Sequence, residues 1–131
     1  MPDAMQVEVV SPERVLYSGE ATMVVTRTLG GGEIAFLPGH APFLAALTEN
    51  HTRIATEGGV TVDVAVHGGF VEVSNNKVSV LSDVAELGET INVERARSAR
   101  DRAEERIRRG DDGDAEAALR RAEARLAAAG A

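Results

Sequence analysis

Two parts of the sequence contain residue types that could do chemistry: a glycine-rich stretch and an arginine-rich tail. The first is Gly30-Gly31-Gly32 followed by Glu33 and, further on, His40. Glycines can cradle a phosphate, and a carboxylate with an imidazole can act as a general acid–base pair. However, no Gly-Lys-Ser/Thr sequence and no helical pattern follow the glycines, and no nucleophile with a clear partner lies nearby. The stretch therefore predicts a turn rather than a phosphate loop or a catalytic site.

The tail offers a different chemistry because its bases are all arginines. From Glu89 onward there are ten Arg and ten Asp or Glu, whereas the residues before it contain 4 Lys or Arg and 11 Asp or Glu. Guanidinium groups pair well with phosphate oxygens, so the tail could bind an anionic ligand. Arginines that follow a glutamate by four residues are also typical of a solvated helix face. The residues alone leave both interpretations open.

Composition excludes several other classes of function. The net charge of -7 argues against nucleic acid as a partner. The chain has no cysteine, so we expect neither disulfides nor thiolate metal sites. His40, His51 and His67 are too far apart in sequence to indicate a metal site. No apolar run approaches the length of about 18 residues that a membrane-spanning helix needs, and the N-terminus has no secretory-signal pattern.

The glycine-rich stretch must be positioned by β-strands. Short runs that alternate apolar and polar residues predict about nine strands before residue 88, each with one buried face. The expected strands are 5–10, 15–17, 21–28, 34–37, 43–47, 51–56, 60–66, 70–73 and 78–81. One-sided alternation requires two sheets to pack face to face, so a β-sandwich or barrel is expected.

The tail arginines must be positioned by helices. After Gly88 the sequence is rich in Ala, Arg and Glu, which are strong helix formers. Thr90 or Asn92 can cap a first helix and Asp114 a second, with a break at residues 110–113 between them. The apolar stripe of each helix consists mostly of alanine, which buries little area. We therefore predict a helical hairpin that docks weakly on the sandwich and can detach.

The segment Gly32–Phe43, with the sequence GEIAFLPGHAPF, closely resembles the signature loop of the F-type ATP synthase epsilon subunit family. Val9–Glu13, Gly68–Val73 and Val80–Asp83 resemble other landmarks of that family. Their order and spacing agree over essentially the whole chain.

This resemblance implies an N-terminal antiparallel β-sandwich of about ten strands in residues 1–88 and a C-terminal antiparallel two-helix hairpin in residues 89–131. It implies a non-catalytic rotor subunit of the central stalk with no required cofactor and no metal. The sandwich would dock on the gamma subunit and the rotor c-ring, and the hairpin would reach the catalytic alpha/beta head and inhibit ATP hydrolysis. The implied docking residues are Gly32, Glu33, Pro38, Gly39 and His40.

The same resemblance implies where such a protein would be found. It would be peripheral, on the cytoplasmic face of the bacterial plasma membrane, and associated with the membrane only through the complex. The residues themselves also leave open a free-standing ATP-sensing module whose arginine-rich hairpin closes on the nucleotide.

Some members of that family bind regulatory ATP, with Mg²⁺, in the folded hairpin through a motif Ile/Leu-Asp-x-x-Arg-Ala. The matching residues are Ile91, Asn92, Arg95 and Ala96, and further family positions fall on Glu86, Arg102, Arg121 and Arg125. Asn92 replaces the expected aspartate, so it has an amide donor in place of a negative charge. We therefore predict that ATP binding is weak or absent.

Overall fold

The computed structural model describes residues 3–111 and 113–131. Within them, the first two thirds of the chain form β-strands and the last third forms two helices. The strands are β1 Met5–Val10, β2 Val15–Ala21, β3 Met23–Thr28, β4 Gly32–Phe36, β5 Phe43–Ala55, β6 Thr61–Ser74, β7 Lys77–Leu81 and β8 Ala85–Leu87. The helices are α1 Val93–Arg108 and α2 Ala115–Ala128.

The strands form one sheet that closes over a shared core. Their order is β2-β1-β7-β6-β5-β3-β4, and β8 pairs with β6. β1 and β7 are parallel, and the other pairings are antiparallel. Side chains from both ends of this order, such as Val7 in β1 and Phe36 in β4, are buried in the same cluster. The predicted sandwich followed by two helices is therefore confirmed.

Two long strands make the sandwich by crossing from one layer to the other. In β5 the buried positions change phase between Leu47 and Asn50, and in β6 they change between Val66 and Val71. These changes face each other, because Leu47 pairs with Gly69. Gly69 has a φ of 107°, and a Cβ there would collide with the carbonyl oxygen of Leu81. Only glycine fits this corner.

Strand continuity explains why eight strands are found where the alternation pattern predicted nine and the resemblance implied about ten. The predicted pairs 43–47 with 51–56, and 60–66 with 70–73, are single strands β5 and β6, since each continues through its corner. β2 also continues through Ser18-Gly19 to Ala21, because it pairs with β1 along that length. β8 was not predicted, since three residues give too short a pattern.

The helix caps agree only in part with the expected ones. The side chain of Asn92 accepts a hydrogen bond from the Arg95 N–H at 3.0 Å, so Asn92 caps α1. Asp114 occupies the expected N-cap position of α2, but its side chain forms no capping bond, and its carboxylate instead contacts Arg106 and Arg121. The expected break between the helices includes Gly110, which has a φ of 79°. Asp112, in the same predicted break, lies outside the described residues.

The hairpin rests on the sandwich through α2. Ala124 and Ala128 of α2 pack against Ala65 of β6, with Ile91 alongside. Two ion pairs cross the same interface: Arg120 Nε to Glu49 Oε1 at 2.9 Å, and Arg125 Nε to Glu86 Oε1 at 2.6 Å. α1 packs along α2 and hardly touches the strands. The docked hairpin therefore depends on a small alanine contact and a few charges.

Candidate functional site

One cleft of about 460 Å³ lies where β8, α1 and α2 meet. Its lining consists of Glu86, Thr90, Ile91, Asn92, Arg95, Ala96, Ala99, Arg102 and Arg125. Seven of the eight residues that the sequence suggested for ATP binding are among them. The eighth, Arg121, does not line the cleft and instead lies 3.7 Å from the carboxylate of Asp114.

Four segments bring these side chains together. β8 supplies Glu86, the turn before α1 supplies Ile91 and Asn92, and α2 supplies Arg125. On α1, Arg95 and Arg102 are two turns apart and therefore project from the same face. The site thus forms only while α2 is docked beside β8.

The charge in the cleft is positive, although the chain as a whole is negative. Arg125 pairs with Glu86, but no ion pair involves Arg95 or Arg102 anywhere in residues 3–111 and 113–131. Three guanidinium groups therefore face one carboxylate. Guanidinium groups bind phosphate oxygens through paired hydrogen bonds, so the cleft suits a ligand with several negative charges.

The remaining wall is small and apolar. Ala96 is buried, and Ala99 lies one turn further along α1. Asn92 also lines the cleft, and its amide oxygen already accepts the Arg95 N–H, which leaves its NH₂ group as a donor. An aspartate there would bring a second negative charge, and Asn92 does not.

Glu86 is held ionised by its neighbours. Its Oε1 accepts hydrogen bonds from Arg125 Nε at 2.6 Å and from His67 Nε2 at 3.0 Å. Burial raises the pKa of Glu86, but the bonds from Arg125 and His67 outweigh burial and hold that pKa below its usual range. The carboxylate is therefore negative at neutral pH.

His67 lies behind Glu86 and is almost fully buried, with 3% of its side chain exposed. Burial lowers the pKa of His67, and the hydrogen bond to Glu86 opposes this only in part. Sequence reasoning missed this residue, because its partner Glu86 sits on β8, which was not predicted. It also missed Ala99 as a lining residue, and it considered Thr90 only as a helix cap.

The other predicted site residues lie at the two ends of β4, roughly 13 Å apart at about 3.3 Å per residue. At one end, Glu33 contacts the guanidinium of Arg53 at 3.4 Å. At the other, the Gly39 N–H donates to Asn76 Oδ1 at 2.9 Å.

His40 belongs to the second end. Its Nδ1 lies 2.7 Å from the carbonyl oxygen of Ala41, and its ring packs edge-on against Phe36 at 4.9 Å. Glu33 and His40 therefore have separate partners, and they do not form the acid–base pair that their sequence spacing allowed.

Residues 3–111 and 113–131 contain no group of three His, Asp or Glu side chains arranged to hold a metal ion. They also contain no helix that is long and apolar enough to cross a membrane.

Comparison with known proteins gives consistent matches along the chain. Residues 4–88 match the family model described as ATP synthase, delta/epsilon chain, beta-sandwich domain. Residues 89–130 match the model described as ATP synthase, delta/epsilon chain, long alpha-helix domain.

Individual relatives agree. The ATP synthase epsilon chain of Brevibacillus brevis is 52% identical over 103 residues, which cover 79% of this chain and 77% of that one. The ATP synthase epsilon chain of Streptomyces avermitilis is 43% identical over 131 residues, covering 100% of this chain and 99% of that one.

A solved structure supports the fold. In the OSCP/F1/c-ring part of the Euglena gracilis mitochondrial ATP synthase, one chain matches with a TM-score of 0.73 and 22% identity. The match covers 96% of this chain and 77% of that chain. At this level of identity the likeness concerns the fold alone.

Proposed function

This chain belongs to the ATP synthase delta/epsilon family, and we propose that it works as the epsilon-type subunit of a bacterial F-type ATP synthase. The observation that carries the proposal is the 43% sequence identity to a bacterial epsilon chain, which extends over both the sandwich and the hairpin. In this role the chain has no active site of its own. It couples the membrane rotor ring to the gamma shaft and limits wasteful ATP hydrolysis.

The sandwich, residues 1–88, is the docking part. Both ends of β4 carry an exposed leucine beside the proposed docking residues: Leu29 before Gly32 and Glu33, and Leu37 before Pro38 to His40. Exposed apolar side chains beside polar groups are typical of protein interfaces. We assign these ends to contacts with the c-ring and the gamma subunit. The chain would thus be peripheral, held at the cytoplasmic face of the membrane through the complex.

The hairpin, residues 89–131, is the regulatory part. Its contact with the sheet consists mainly of alanines and two ion pairs, and α1 hardly touches the strands. Such a contact can be exchanged for another one at modest cost. We propose that the hairpin detaches, reaches the catalytic alpha/beta head with its arginine-rich faces, and inhibits hydrolysis there.

ATP is the proposed ligand of the cleft. Arg95, Arg102 and Arg125 provide the guanidinium groups for a triphosphate, and Ala96 and Ala99 leave room beside them. Because the cleft forms only with α2 docked, bound ATP would hold the hairpin down. Asn92 makes this binding weak. Titration of the purified chain with ATP and Mg²⁺ tests it, and submillimolar binding would contradict the role given to Asn92.

The positive cleft also favours a second candidate, a free-standing ATP-sensing module. Affinity purification of the tagged chain from a cell that expresses it separates the two. The subunit role predicts that a gamma-type subunit and the rotor ring purify with the chain in fixed proportion. Recovery of the chain alone, together with ATP-dependent closure of its hairpin, would favour the sensing module instead.

A further inference from the structure

His67 lies two residues after Ala65 on β6 and therefore on the same side of the strand, which is the side that packs against α2. Its side chain is 3% exposed, and its Nε2 lies 3.0 Å from Glu86 Oε1. A carboxylate can only accept, so Nε2 carries the proton and donates it. Nδ1 is then an acceptor, and it is buried without a hydrogen-bond partner in the described part of the chain.

Protonation of His67 would therefore bury a new N–H donor that has no acceptor. A buried donor left unsatisfied is destabilising, and more so if it is charged. The docked geometry accommodates the neutral ring only.

The two guanidinium groups near His67 act in the same direction, and the Glu86 carboxylate opposes them. From α2, Arg125 shares the Glu86 oxygen, and Arg121 is close enough for its charge to lower the pKa of His67. From β8, Glu86 is the one carboxylate bonded to the ring. From β5, Glu49 is directly opposite His67 in register, but its carboxylate is bonded to Arg120. Protonation would thus place a third positive charge beside Arg121 and Arg125. The Glu86 carboxylate that faces these charges is already bonded to Arg125.

We propose that His67 is a proton-sensitive latch, whose neutral ring permits docking of the hairpin and whose protonation releases it. The inference rests on the proposed mobility of the hairpin. It adds that acidification by itself shifts the subunit toward the detached, inhibitory state, which would brake ATP hydrolysis when the surroundings turn acidic.

The direction follows from linkage. In the docked state burial lowers the pKa of His67, whereas release of α2 exposes the ring and returns its pKa to about 6.5. Docking is then undiminished above about pH 6.5 and weakens as the pH falls below it. Between pH 7.5 and 5.5 the docking constant can fall by up to about tenfold. Glu86 contributes little in this window, because its carboxylate is ionised above its usual pKa in the detached state and docking lowers that pKa.

Hydrogen exchange of the full-length chain tests the latch. Protection factors of α2 amides, corrected for the intrinsic effect of pH, should fall by up to about tenfold from pH 7.5 to 5.5. Amides of β1 and β7 in the sandwich core should not change and serve as the internal reference. In the His67→Gln variant the pH effect on α2 should vanish. His51→Gln is the matched control and should keep it, because His51 bonds Asp63 instead.

Equal protection of α2 at both pH values, or a pH effect that persists in His67→Gln, would overturn the latch. If that variant does not fold, an NMR titration of the wild-type His67 ring decides: an apparent pKa of 6.5 or above would overturn it as well. Failure of the underlying mobility is separate. Ala124→Glu places a charge against Ala65 and should deprotect α2 at pH 7.5, and no change there would refute the mobile hairpin itself.

Discussion

The ion pair between Arg125 and Glu86 should contribute substantially to the stability of the docked hairpin. The two side chains are 29% and 34% exposed, and Arg125 Nε lies 2.6 Å from Glu86 Oε1. A hydrogen bond between charged groups contributes about 1.5–3 kcal/mol when buried. Because a third of each side chain reaches solvent, screening reduces this to about 1–2 kcal/mol. Loss of the pair should weaken docking by about five- to thirtyfold.

A double-mutant cycle isolates that contribution. Glu86→Gln, Arg125→Gln and the double variant are compared with the wild type by hydrogen exchange of α2 amides at pH 7.5. Glu86→Gln removes the charge at nearly the same shape, whereas Arg125→Gln also shortens the side chain. The double-mutant cycle cancels such single-variant effects, so the coupling free energy reports the ion pair. We expect about 1–2 kcal/mol.

The matched control is the exposed pair on α1, Arg97 with Glu94, whose side chains are 46% and 82% exposed. The same cycle there should give less than about 0.5 kcal/mol, and it should leave α2 docking unchanged. A coupling energy for Arg125 and Glu86 that is no larger than the control value would refute the claim that this pair holds the hairpin.

Three further predictions address the site, the corner and the acid limit. Arg102→Ala should weaken ATP binding about tenfold or more in calorimetry, whereas Asn92→Asp should strengthen it. Equal ATP affinity in the two variants would contradict the assignment of this cleft as the ATP site. Gly69→Ala should lower the free energy of unfolding in urea by about 2–4 kcal/mol, because its Cβ meets Leu81, and a loss below about 1 kcal/mol would contradict that geometry. In the His67→Gln variant the hairpin should stay docked on acidification until the pH falls below about 4.5. Docking lowers the pKa values of Glu49 and Glu86, so their contribution is lost only when these carboxylates become protonated. Release of the hairpin near pH 6 in this variant would contradict the prediction.

The sequence predicted the fold class well because alternation and helix-forming composition are local signals. It failed where one strand serves two layers. At Gly68-Gly69 the period-2 pattern changes phase, and a phase change resembles a break between two strands when no partner strand is known. β8 was missed for a related reason: three residues carry no pattern, and only pairing with β6 makes them a strand.

The site could be predicted in part. Arg95 and Arg102 lie two turns apart on the helix that Asn92 caps, but all three were suggested as site residues by family resemblance and not by spacing. Glu86 and Arg125 were suggested only by family resemblance, since their meeting depends on how α2 docks. His67 could not be found in this way, because its burial and its partner both result from tertiary packing.

The most direct test of the proposed role is the ATP hydrolysis rate of the assembled enzyme. The ATP synthase is prepared with the full chain and with a chain that ends at Gly88, which keeps the whole sandwich and removes both helices. We predict that the shortened subunit still assembles and supports ATP synthesis, while hydrolysis becomes faster. Unchanged hydrolysis in a fully assembled complex would contradict an inhibitory hairpin, and failure of ATP synthesis would contradict a sandwich that couples ring to shaft by itself.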